Sequence, residues 1–301
     1  MDLTAEAASR PPEIPTGQFF RDVFGIYHRH FWLFMRFLVP VTIFSYVAVT
    51  MAGEISQDIL RRVPHNPAIV EQYMELLESF VVRLGGWLVS WIVYCFAFAG
   101  ITVAIRGIES GSAPLAEESL TTIRERPMLF LRVAVALYLL LLVSVGLALG
   151  SGLILVGLWS KLNFRPLNSG GIQATLAALL FVFLLALSRF GLALPATVLD
   201  GLTVRQSLFR SDELTSGRLR ILVALLLKSV AGSYIMAIAP FWIAGHVFGQ
   251  HFVPVREWWV LTALSFLGVL VVEPTMFIGF ALLYIRSTQP LPEPFKAAPA
   301  I

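Results

Sequence analysis

The chain has 301 residues, of which 57% are hydrophobic and only 14% charged, with a single cysteine. An ordinary soluble domain is about 25% charged, and the mean hydropathy of +0.79 points the same way. These values exclude a disordered chain, a disulfide scaffold and a typical soluble enzyme, and they describe an all-α polytopic membrane protein. The net charge of +3 does not imply nucleic acid, because the basic residues flank apolar segments and form no patch or stripe.

Met1–Pro15 contains Asp2, Glu6, Arg10 and several prolines but no apolar run. It reads as a disordered tail without a signal peptide. Thr16–His30 follows, with Phe19, Phe20, Val23, Phe24, Ile26 and Tyr27 on one side of a helical wheel. Two readings stand: a short helix in the membrane interface, or an extension of the first span.

A membrane-crossing helix needs about 20 apolar residues. Six stretches qualify: Phe31–Ala52, Phe80–Ile105, Met128–Leu149, Ile172–Leu199, Leu219–Phe248 and Trp258–Ile285. Together they form a six-helix transmembrane domain over residues 16–287, followed by a second disordered tail, 288–301. Arg189 interrupts the fourth stretch, so two other readings remain: five spans, or a fourth span ending near Ser188. Before the second span, Ile69, Tyr73, Leu76, Leu77 and Phe80 fall at helical spacing, which predicts an amphipathic helix running into it.

Orientation follows from basic residues in short loops. With the N-terminus inside, the inner segments hold Arg10, Arg21, Arg29, Arg106, Arg124, Arg126, Arg205, Arg210, Arg218, Arg220, Arg286 and Lys296. The outer loops hold Arg61, Arg62, Lys161, Arg165 and Arg256. Both termini are therefore expected in the cytoplasm of a bacterium, with the spans in its inner membrane. Two inner loops, Gly107–Pro127 and Asp200–Gly217, look alike and hint at a repeat. In the second, Thr203-x-x-Gln206 has capping-box spacing and Gly217 follows as a helix stop. Arg205 and Arg210 on that helix can meet anionic headgroups at about 1 kcal/mol each.

Arg189-Phe-Gly-Leu-Ala-Leu-Pro195, then Asp200-Gly201, then Arg210-Ser211-x-x-Leu214-Thr215-x-Gly217 form a distinctive pattern. It resembles the membrane domain attached to some bacterial glycerophosphoryl diester phosphodiesterases, and the stand-alone relatives of that domain. Asp200 stands where the family has Glu, and Ser207 where Ala is usual. Leu282-Leu283-Tyr284-Ile285-Arg286 is similar to the family's closing motif, one residue shorter. The resemblance implies a six-helix membrane domain. It does not imply phosphodiesterase chemistry, which belongs to a soluble barrel that is not part of this sequence.

No His/Cys/carboxylate set has metal-ligand spacing, and no cofactor is expected. Asp200-Gly201-x-x-Val204-Arg205 also resembles the opening of the membrane CDP-alcohol phosphotransferase motif. The match fails, because Leu214, Arg218 and Leu222 stand where Gly, Asp and Asp are needed. Without a catalytic motif, the expected function is non-enzymatic: organising lipids or partner proteins, a second copy of the chain among them. The alternative is a transporter for a polar or amphiphilic solute.

The alternative draws on charges inside spans. Arg189, Lys228 and Glu273 are each costly there unless paired or hydrated. Taken as continuous helix, Arg189 lies about 16 Å from Asp200, Lys228 about 12 Å from Arg220, and Glu273 about 20 Å from Arg286. The three then fall within one ~8 Å band on the inner half of the membrane, and Glu273 is expected to pair with Arg189, Lys228 or both; the alternative is that the two cations snorkel separately to the inner interface and Glu273 is neutral. Pro274, directly after Glu273, is expected to kink the sixth span.

Overall fold

The computed structural model describes residues 15–61, 69–112, 121, 124–161, 181–182, 184–248 and 255–288. Residues 1–14 and 289–301 of the expected tails, 172–180 and 183 of the fourth apolar stretch, and 113–120, 122 and 123 of the first inner loop lie outside these residues. Among the described residues the chain is helical and has no strand. Its helices are α1 Thr16–Arg29, α2 Phe31–Arg61, α3 Ile69–Glu109, α4 Pro127–Lys161, α5 Ala193–Asp200, α6 Val204–Ser216, α7 Leu219–Phe248 and α8 Val255–Thr288.

Five of these helices contain segments long and apolar enough to cross a membrane: Phe31–Arg61, Met74–Glu109, Pro127–Leu147, Leu219–Ile243 and Leu267–Thr288. In water such helices would have to bury their apolar surface on one another. Here large apolar residues point outward instead, with Met51, Trp87, Val143, Leu147, Ile235 and Trp242 all exposed. That surface suits hydrocarbon, where helices are stable because each backbone donor and acceptor is satisfied within its own segment. With 41 residues, α3 is about 60 Å long, twice the thickness of a hydrocarbon core. It starts at Ile69, as the amphipathic spacing predicts.

The interior is built where α2 packs along α3, α7 along α8, and α8 against α3. Close approaches occur at isolated glycines. A Cβ on Gly100 would meet the Phe37 ring, one on Gly279 the Leu225 side chain, and one on Gly232 Val272. Gly146, the described member of a Gly-x-x-x-Gly pair, faces open space instead. Its mate Gly150, and Gly245 and Gly249 of a second pair with the same spacing, have no described side-chain surroundings.

α1 is a separate helix, ended at His30 by a turn. It does not simply extend the first span. Phe19 and Val23 are fully buried, and the helix packs on α8. The Tyr27 hydroxyl donates to the Val271 carbonyl of α8 at 2.8 Å. α8 runs through Pro274 as one helix. Pro274 has no N–H for the carbonyl four residues back, and on the adjoining turn Thr275 donates to the Val272 carbonyl at 2.7 Å.

The fourth apolar stretch is not one continuous helix up to Leu199. Residues 184–190 are helical, Gly191 and Leu192 form a turn, and α5 starts afresh at Ala193. Pro195 is the cause. It cannot donate to the carbonyl of Gly191, and its ring crowds that group, whereas in the first turn of a new helix it is tolerated. α5 ends at Gly201, whose φ of 66° is left-handed and whose N–H returns to the Thr197 carbonyl, a conformation glycine adopts without a Cβ penalty. Thr203 then opens α6, its N–H donating to Gln206 Oε1 at 3.1 Å. At Gly217, φ is −90°, so α6 ends there without needing a left-handed residue.

Candidate functional site

The helix break leaves the carbonyl of Arg189 at the end of residues 184–190. Ser211 on α6 donates its hydroxyl to it at 2.8 Å; the Thr215 hydroxyl, one turn on, lies 3.4 Å from it and 3.0 Å from the Asp212 carbonyl of its own helix. Both side chains are buried. The Arg189 guanidinium grips Asp212 of the same helix through Nε and through Nη2, the latter at 3.1 Å to Oδ2. This hydrogen bond holds the Asp212 carboxyl below its ordinary value.

The expected pairing of Glu273 with Arg189 or Lys228 is therefore not formed. The depth assigned to Arg189 assumed a continuous helix to Asp200, and the break at Gly191 removes that premise. Its side chain is 60% exposed and bound to α6. Lys228 is exposed, with its ammonium 3.6 Å from the centre of the Phe20 ring on α1, a cation–π contact. Glu273 instead accepts a hydrogen bond from the Tyr94 hydroxyl, 3.2 Å from Oε2. The Tyr94 hydroxyl also lies 3.5 Å from Thr42 Oγ1.

The remaining residues of the sequence pattern converge at one polar end of the bundle. Tyr284 donates to Asp200 Oδ2. Arg286 binds Asp22 of α1 at 2.6 Å and Glu109 of α3 at 3.4 Å. Arg106 reaches the Leu199 carbonyl at 3.3 Å, and Arg218 donates to Ser287. Arg210 pairs with Glu213 at 2.8 Å on the exposed face of α6. Leu214 packs against the core. These contacts join α1, α3, α5, α7 and α8 at their ends. Sequence reasoning missed the partners of Tyr284 and Arg286, which lie more than eighty residues away in the chain; the only signal was that both belong to the closing motif.

Inside the bundle lies a cavity of about 210 Å³. Its walls come from α3, α4, residues 186–194 and α8. Trp91, Phe98, Phe190, Phe277 and Phe280 supply rings, Leu137, Leu140 and Leu194 aliphatic surface, and Glu273 and Tyr94 the polar groups. The Trp91 indole N–H is committed to the Ala134 carbonyl at 3.0 Å, so its ring serves as wall. Gly191 allows the helix break to sit tight on this wall, since a Cβ there would collide with the Phe280 ring. Among the described residues no group of His, Cys and carboxylate side chains could hold a metal ion.

No family model matches the chain, and no curated protein or solved structure matches it either.

A double-mutant cycle on thermal stability separates the observed pairing from the expected one. Arg189→Gln and Asp212→Asn should lose less together than the sum of their separate losses. Arg189→Gln and Glu273→Gln should add to within about 0.5 kcal/mol. Because the Asp212 carboxyl is held low, the Arg189–Asp212 contribution is present above the ordinary carboxylate value of about 3.9 and is lost as pH falls through the lower folded value. Coupling between Arg189 and Glu273 would contradict the arrangement described.

Proposed function

We propose that the chain is a non-enzymatic multi-pass protein of the bacterial inner membrane that holds amphiphilic, lipid-like molecules within its helix bundle. The observation that carries the reading is the cavity. It is apolar on nearly every side, it sits between membrane-length helices, and it presents one carboxyl group and one phenol. A ligand matching it has an apolar body and a single polar head, which is the chemistry of an amphiphile drawn from the bilayer. We further propose six spans, with both termini and the Arg286 cluster on the cytoplasmic side. The excess of basic residues in the inner loops supports this orientation. Arg205 and Arg210 would then face anionic headgroups, and the resemblance of the Arg189–Gly217 pattern to the membrane domain of phosphodiesterase-type proteins agrees with a lipid-facing role.

A second reading, a carrier for an amphiphilic solute, draws on Glu273 being followed directly by Pro274 within α8. Its mark would be Glu273-dependent flux of the solute between vesicle compartments.

Native mass spectrometry of the detergent-purified protein tests the primary reading. The wild-type chain should keep bound amphiphile that Ala186→Trp, which fills the cavity, releases while still melting cooperatively. Leu140→Trp is the alternative filling variant. Equal retention by wild-type and filled proteins would contradict the reading.

Single cysteines in a Cys95→Ala background test the topology. Those at the exposed positions Ser112 and Ser216 should stay unlabelled by an impermeant thiol reagent in intact cells, while Gln57 is labelled. Labelling at Ser216 would overturn the six-span assignment.

A further inference from the structure

We propose that the ligand of the bundle cavity is a hydrophobic monocation, a small quaternary or protonated amine with an aromatic or aliphatic body; this rests on the amphiphile-holding reading above. Glu273 is the one charged residue among the described residues that line the cavity. The two cations that the sequence places within reach are engaged elsewhere, Arg189 with Asp212 and Lys228 over Phe20. Glu273 therefore has a single described polar partner, the neutral hydroxyl of Tyr94. A carboxylate among apolar walls strongly favours a counter-cation, because little water shares its charge.

The walls add a second, independent preference. Trp91, Tyr94, Phe98, Phe190, Phe277 and Phe280 all contribute to the cavity, and Phe98 stacks on Phe277 with ring centres 5.0 Å apart. Aromatic faces carry negative potential and attract cations that shed water readily, quaternary ammonium groups above all. A phospholipid fits less well: its phosphate would bring a second negative charge against Glu273, with no basic residue among the described residues of the wall to receive it. An anionic ligand is disfavoured for the same reason. Charge complementarity and wall chemistry thus select one class.

The test compares two probes of nearly the same shape. Benzyltrimethylammonium carries the charge; neopentylbenzene replaces its nitrogen by carbon and is neutral. Both are titrated by equilibrium dialysis against the full chain in phosphatidylethanolamine/phosphatidylglycerol nanodiscs, with empty nanodiscs subtracted. The cation should bind the protein at least about tenfold more tightly than its neutral counterpart. Glu273→Gln should reduce that preference to less than about threefold while leaving neopentylbenzene binding unchanged, which also shows that the variant is folded. Tyr94→Phe should keep most of the preference, because it leaves the carboxyl in place. Equal binding of the two probes, or a cation preference that survives Glu273→Gln, overturns the inference. Either result leaves the amphiphile-holding reading intact, since that reading is judged by retention in the cavity-filled variants.

Discussion

Pro195 withholds one backbone donor and crowds the Gly191 carbonyl, and within a membrane-length helix such a fault must be repaired by other groups of the protein. The repair organises much of the molecule. The helix stops at residue 190, turns through Gly191 and Leu192, and restarts as α5. The stranded Arg189 carbonyl receives the Ser211 hydroxyl, with the Thr215 hydroxyl close by. An unpaired buried carbonyl costs about 1–3 kcal/mol, so the Ser211 contact ties α6 to the break. The same break sets Phe190, Gly191 and Leu194 into the cavity wall. The loop helix, the helix break and the cavity wall thus meet at residues 189–194.

Several charges are paired close to the break and the polar end. Arg189 and Asp212 pair beside the break, Arg286 gathers Asp22 and Glu109 at the polar end, and Lys228 rests on Phe20. Clamping the helix ends leaves the interior between them apolar, with Glu273 facing the cavity. From α8 this carboxyl accepts the Tyr94 hydroxyl of α3, so its one described polar contact crosses between helices at the cavity wall.

The helices were largely legible in the sequence, because apolar length reports directly on membrane-length helix. The apolar stretch Leu219–Phe248 coincides with α7, and Thr203 and Gln206 begin α6 where capping-box spacing puts them. Depth was not legible. Counting residues from Asp200 placed Arg189 far inside only because the helix was taken as unbroken, although Pro195 carried the contrary signal. Partners distant in the chain, such as Phe20 for Lys228 and Asp200 for Tyr284, leave no spacing to read. Nor did Gly146-x-x-x-Gly150 mark a described close contact, whereas lone glycines at 100, 191 and 279 do; which face of a helix meets a neighbour depends on packing that a motif does not encode.

Amide hydrogen exchange over residues 184–216, comparing the wild-type chain with the Ser211→Ala/Thr215→Ala double variant, tests the central claim most directly. The account predicts faster exchange in α5 and α6 of the variant, with α2 and α3 unchanged, because the Arg189 carbonyl loses the Ser211 donor and the adjacent Thr215 hydroxyl, and the two short helices lose their anchor. Exchange indistinguishable from wild type in α5 and α6 would contradict it.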